Sequence, residues 1–128
     1  MKSESLTLKL ENLTELSVTL HYSEEFHSFK QILLKPVIPI LFLNSSFFNQ
    51  KQWKKFIRFL DKNLKSLKFQ FPLYITYDYS GIGKSTYIHH SISINDYLFE
   101  IEAILKFFHF TKINLFGMSI GSWIGLNF

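Results

Sequence analysis

The sequence contains no cysteine. That absence excludes a disulfide framework, a thiolate zinc site, a cysteine nucleophile and thiol redox chemistry. Arginine and alanine occur once each, as Arg58 and Ala103, so the net charge of +4 rests on lysines spread among apolar residues instead of lining one stripe. Such scatter argues against a nucleic-acid partner. Long apolar runs are missing too: the longest, Pro36 to Leu43, falls far short of the roughly 20 residues that span a bilayer. The N-terminus, MKSESLTLKLENLTEL, is interrupted by Glu and Lys where a signal peptide needs an apolar stretch. A cytoplasmic protein with no membrane span is expected.

Apolar bulk is plentiful. Of the 128 residues 47% are hydrophobic and 15 are Phe, enough to fill a core and too many for a disordered chain. The expectation is one domain, residues 1–128, although α/β enzymes commonly run to about 200–250 residues. Leu6–Leu10 and Leu16–Tyr22 alternate apolar and polar residues and predict a pair of half-buried strands. Val37–Leu43, "VIPILFL", predicts a strand covered on both faces, with Pro39 near one end of its pairing because it lacks an N–H. Trp53, Phe56, Ile57, Leu60, Leu64 and Leu67 recur at helical spacing behind the N-cap candidate Asn49. Phe71–Tyr77 predicts a further strand. Ser93 and Asp96 form a capping-box pattern before a helix carrying Tyr97, Ile101, Ile104, Leu105 and Phe108 on one face. Lys112–Phe116, "KINLF", is a last short strand. Strands alternating with helices predict an α/β fold with a mostly parallel sheet flanked by helices.

Glycine is scarce, and four of its five occurrences fall in two stretches, Ser80–Thr86 and Gly117–Gly121. The first, SGIGKST, ends like a phosphate-binding loop, G-x-x-x-x-G-K-[ST]. Position 78 should then be glycine, but it is Asp78, which brings a side chain and a negative charge to a place meant for an anion. No helix signal follows either. The loop is therefore expected to be tied by Asp78 through local hydrogen bonds, with Lys84 solvated and no ATP or GTP bound near Gly83.

The second stretch, Gly117-Met118-Ser119-Ile120-Gly121, is G-x-S-x-G directly after an apolar strand, the setting of a nucleophile elbow. A serine on a sharp strand-to-helix turn holds strained backbone, and bulk two residues to either side would collide with the neighbouring strand and helix. The bland alternative is a glycine-rich turn whose serine merely caps the helix. With this motif the chain, from about residue 16 to 128, resembles the α/β-hydrolase superfamily. PILFLNSS is similar to its third strand and oxyanion loop, QKQWKKFIRFL to its first helix, YITYDYSGIGKS to its fourth strand and glycine loop. The resemblance implies hydrolysis or transfer of an ester, thioester or acyl group of a small-molecule substrate. It makes Ser119 the nucleophile and the amides of Ser46 and Ile120 the oxyanion donors. It implies no cofactor and no metal.

Two departures accompany the resemblance. Asn44-Ser45 stands where the family often has His-Gly. The family's acid and histidine follow its serine, yet the sequence ends nine residues after Ser119, so an incomplete, truncated domain without activity of its own is expected. His21, His27, His89, His90 and His109 all precede Ser119, and Asp78 and Asp96 fit a loop tie and a helix start better than a catalytic dyad. The alternative to an enzyme is a non-catalytic binding module or the remnant of a truncated gene. The family's central fifth strand, KINLF here, would become an exposed sheet edge, so self-association through it is expected.

Overall fold

The computed structural model describes residues 1–68, 72–86 and 91–128. Alternation of apolar and polar residues sets the first two strands side by side: β1 (Lys2–Lys9) and β2 (Glu15–Tyr22) pair antiparallel, with Lys2 opposite Tyr22 and Lys9 opposite Glu15. In the turn between them the Asn12 side chain accepts the Thr14 N–H at 3.0 Å, an Asx turn. A five-residue helix, α1 (Phe29–Leu33), follows; so short an element displays no helical period, and the sequence does not announce it.

β3 (Ile40–Leu43) is shorter than the run from Val37 predicts. Pro39 explains this, because only its carbonyl joins the sheet, accepting the Asn114 N–H at 2.9 Å. Asn49 accepts the Lys51 N–H at 3.0 Å and opens a 3-10 turn, Gln50–Trp53, that runs into α2 (Lys54–Ser66). β4 (Leu73–Tyr77) leads to a loop and then to α3 (Ile94–Phe108). The Ser93 N–H donates to the Asp96 carboxylate at 2.7 Å at its start, the acid's half of a capping box. β5 (Asn114–Gly117) and α4 (Ile120–Asn127) complete the chain.

The strand order is β1-β2-β4-β3-β5. The hairpin joins antiparallel through β2 and β4, while β3 lies parallel to both β4 and β5. Each parallel pairing needs a crossover, and α2 and α3 supply them. This is the helix-flanked α/β sheet that the sequence predicts, with the hairpin added at one side. Side chains alternate between its faces. Ile40, Phe42 and Tyr74 pack with Trp53 and Ile57 beneath α2. Leu41, Leu43, Leu73, Ile75 and Tyr77 enter the larger core with Ile101, Ile104, Phe108 and Ile124 of α3 and α4. Each such side chain stabilises the fold by about 1.5–3 kcal/mol. Among the described residues no helix is long and apolar enough to cross a membrane.

Candidate active site

Parallel strands present their C-terminal ends at one edge, so the loops after β3, β4 and β5 gather there. β5 ends at Gly117 and α4 begins at Ile120, which leaves Met118 and Ser119 to make the turn. Ser119 has φ 58° and ψ −123°, a conformation that costs an L residue on the order of 1–3 kcal/mol and persists only where its surroundings hold it. The Met118 N–H donates to the Leu43 carbonyl at 3.3 Å, the Gly121 N–H to that of Met118 at 3.0 Å, and the Ser122 N–H to that of Ser119 at 3.0 Å. The Ser122 hydroxyl donates to the Gly117 carbonyl at 2.8 Å.

Both flanking glycines are required by close approach. A β-carbon on Gly117 would lie 2.5 Å from the carbonyl of Gly121, and one on Gly121 would lie 2.2 Å from the carbonyl oxygen of Leu43. The turn is thus clamped between its own helix and the end of β3, and Ser119 stands exposed on it.

Ile120, the first residue of α4, has an amide with no intrahelical acceptor. Ser46 lies in the exposed loop after β3, before Phe47 at φ 64°. Leu43 and Gly117 are register partners, so the segments carrying these two amides leave adjacent strands at the same edge. Asn44, at the position that departs from the family pattern, is fully buried and structural. Its amide donates to the Tyr77 carbonyl at 2.7 Å and accepts the Trp53 indole N–H at 2.8 Å, while its own carbonyl accepts the Tyr79 hydroxyl at 2.9 Å. It ties the ends of β3 and β4 to the start of α2. A polar residue after an apolar strand gives no hint in sequence of three such distant partners.

The SGIGKST loop turns its amides inward. Asp78 accepts the Gln50 N–H at 2.8 Å and the Lys84 N–H at 2.9 Å on its two carboxylate oxygens. Gly83 sits at φ 56°, and a β-carbon there would meet the Asp78 carboxylate at 2.3 Å. Ser85 donates to the Asp78 carbonyl at 2.6 Å and accepts the Ser17 N–H at 2.9 Å. The loop is filled by its own carboxylate, as its sequence predicts, and Lys84 is exposed.

Glu100 was not singled out by sequence, although it falls between Tyr97 and Ile104 on the apolar face of α3. It is buried and accepts the Ser80 N–H at 3.1 Å and the Ser80 hydroxyl, and its second oxygen has no partner. Burial pushes its pKa from 4.5 up to about 8, against the Ser80 amide, which lowers it.

The histidines do not assemble around Ser119 among the described residues. His21, in β2, bridges the hydroxyls of Ser3 at 2.8 Å and Thr76 at 3.0 Å. Burial first, then the cations Lys54 and Arg58, depress its pKa to about 4. His27 and His109 are exposed, and His109 closes α3 at φ 58°, ahead of the opposite end of β5 from Ser119. His89 and His90 lie outside the described residues. No hydrogen bond to the Ser119 hydroxyl and no cluster of metal-ligating side chains occurs among the described residues.

No protein-family model matches the sequence, and no curated protein is similar to it in sequence. Solved structures are similar in fold. An α/β-hydrolase enzyme from a Medee basin deep-sea metagenome library superposes with a TM-score of 0.73 at 18% identity over 96% of this chain. An esterase from Exiguobacterium antarcticum gives 0.70 at 18% over 97%, and a haloalkane dehalogenase from Agrobacterium tumefaciens 0.70 at 15% over 98%. The chain spans 38%, 39% and 35% of the lengths of these three structures. Sheet order, crossovers and superposition agree: the chain has the fold of the N-terminal portion of an α/β-hydrolase.

Proposed function

We propose that this chain carries the nucleophile of a serine hydrolase or acyltransferase acting on an ester, thioester or other acyl group. The observation behind this is the backbone of Ser119, φ 58° and ψ −123°, held between two glycines that admit no side chain. Strain of this kind accumulates where a side chain must be presented to a ligand. In the proposed reaction the Ser119 hydroxyl oxygen attacks the acyl carbon and its proton passes to a general base. The carbonyl oxygen becomes an oxyanion facing the amides of Ile120 and Ser46, the leaving group departs with the proton, and water or an acceptor alcohol releases the acyl group. Serine favours acyl chemistry over dehalogenation or epoxide opening. Attack on a saturated carbon would leave an ether that water does not cleave, whereas an acyl ester can turn over.

The general base and its orienting acid come, in this reading, from outside the 128 residues, and the chain alone turns over little or nothing. A serine hydroxyl without a base is a weak nucleophile, and loss of a triad serine or histidine lowers kcat by about a million-fold in a model serine protease. A non-catalytic module of the same fold is the rival, favoured by the lack, among the described residues, of any hydrogen bond to the Ser119 hydroxyl. The test is labelling by a serine-directed phosphonate, with hydrolysis of an activated aryl ester by the protein and its Ser119→Ala variant. Slow stoichiometric modification of Ser119 with turnover no higher than the variant's is expected. Failure to label Ser119 would favour the rival. Turnover well above the variant's would place a base within the chain, with His89 and His90 the first to replace.

A further inference from the structure

We propose that a second site, the cleft on the polar face of β1, β2 and β4, binds a small molecule through a phosphate group held between Lys54 and Arg58. The cleft has a volume of about 600 Å³, within the roughly 300–1,000 Å³ usual for small-molecule sites. Its floor is a set of cross-strand rungs: Ser5 with Thr19 at 2.9 Å, Ser3 with His21 at 2.8 Å, and His21 with Thr76 at 3.0 Å. Its rim is cationic. Lys51, Lys54 and Arg58 come from the 3-10 turn and α2, and Lys84 arrives from the loop after β4. Lysines scattered through the sequence are therefore gathered by the fold.

Lys54 and Arg58 are four residues apart on α2, where like charges repel each other. None of the four cations forms an ion pair among the described residues. Lys54 and Arg58 line the same cleft as the His21 imidazole in its floor, and both lower its pKa. A concave wall of one sign focuses potential and draws counter-ions. The one carboxylate in the lining, Asp78, is buried with both oxygens engaged by amides. The Met1 ammonium at the rim is paired with Glu24. A guanidinium grips phosphate through two parallel N–H groups and an ammonium supplies a point charge, so the pair suits a dianion. The hydroxyls beyond them suit a polar body. The Asp78 carboxylate fills the SGIGKST loop and takes its Lys84 N–H, and the cleft shares no lining residue with the Ser119 turn.

The probes are inorganic phosphate and glycerol 3-phosphate, titrated by calorimetry and by amide NMR, with glycerol as the uncharged control. Saturable binding in the millimolar range or tighter is expected, with shifts concentrated along β1, β2 and the start of α2. Lys54→Gln and Arg58→Gln should each weaken it by about tenfold or more, while Lys112→Gln, an exposed lysine elsewhere, leaves it unchanged. These surface changes leave the core intact, which circular dichroism checks. Absence of saturation, or equal weakening by Lys112→Gln, overturns the proposal. Vesicles of phosphatidylcholine with phosphatidic acid that bind when glycerol 3-phosphate does not would assign the cations to a lipid surface and overturn it too.

Discussion

Leu43 and Gly121 meet backbone to backbone, so closely that a β-carbon on the glycine would lie 2.2 Å from the leucine carbonyl oxygen. Gly121→Ala must push α4 off the end of β3, and a loss of about 2–4 kcal/mol is expected. Ser119→Gly should act the other way, adding about 1 kcal/mol by relieving the positive φ, whereas Ser119→Ala keeps the strain and gains nothing. Urea denaturation of the three variants checks the order. A Ser119→Gly protein no more stable than Ser119→Ala would mean that the turn is unstrained.

Asn44→Ala should cost about 2–4 kcal/mol, because it leaves the buried Trp53 indole N–H and Tyr77 carbonyl without partners and opens a void beside them. Unfolding followed by tryptophan fluorescence reads both the loss and the altered environment of Trp53. Asn44→Asp, which keeps the acceptor for Trp53 but not the donor to Tyr77, should lie between the two or below, since it also buries a charge.

Stability should also depend on pH through the buried Glu100 and the half-buried His21, with opposite signs. Glu100 is raised from 4.5 to about 8, so its contribution is whole below pH 4.5 and is lost as pH rises to about 8. His21 is lowered from 6.5 to about 4, so its contribution is whole above pH 6.5 and is lost as pH falls toward 4. The two slopes oppose each other between about pH 4.5 and 6.5, leaving a net decline from 6.5 to 8 of at most about 1.4 kcal/mol per pH unit. Glu100→Gln should abolish that decline and uncover the fall of stability below pH 6.5. Urea midpoints measured across this range decide it.

Self-association is expected through β5. Among the described residues β5 pairs with β3 alone, and Phe116 in it and Trp123 and Leu126 in the helix that follows are exposed. Free edges with apolar flanks recruit further strands. Light scattering at micromolar concentration should show species larger than one chain, and Phe116→Lys should reduce them. A stable monomer would count against the prediction.

The regular elements were legible: the hairpin follows from alternation, α2 and α3 from helical spacing, and the parallel strands from short continuous apolar runs. The Ser119 turn was legible for a different reason, since glycines two residues to either side of a serine after an apolar strand mark a tight strand-to-helix turn, whether or not the serine does more than cap the helix. Asp78 could be assigned to its loop because a carboxylate is incompatible with the phosphate that the glycines suggest. What sequence does not carry is long-range pairing. The partners of Asn44, the Ser80 contact of Glu100, and the grouping of Lys84 with Lys54 and Arg58 all depend on which strands become neighbours. Pro39 is the local counterpart: its missing N–H marks an end of the pairing in the sequence, and β3 begins at the residue after it.

The strand order also sets a sequence of events in folding. β1 and β2 are joined by a short turn and can pair at once, while β3 and β5 must close a loop containing β4 and two helices, and contacts so distant along the chain form slowly. The residues on either side of Ser119 lean on the Leu43 carbonyl, Met118 through its N–H and Gly121 by close approach, so the positive φ at Ser119 is held only when β5 docks. The strained residue is therefore placed where it cannot obstruct nucleation. If β5 and its turn open before the rest of the fold, the amides from Gly117 to Gly121 should exchange faster than those of the hairpin, and their exchange then measures β5 undocking and not global unfolding.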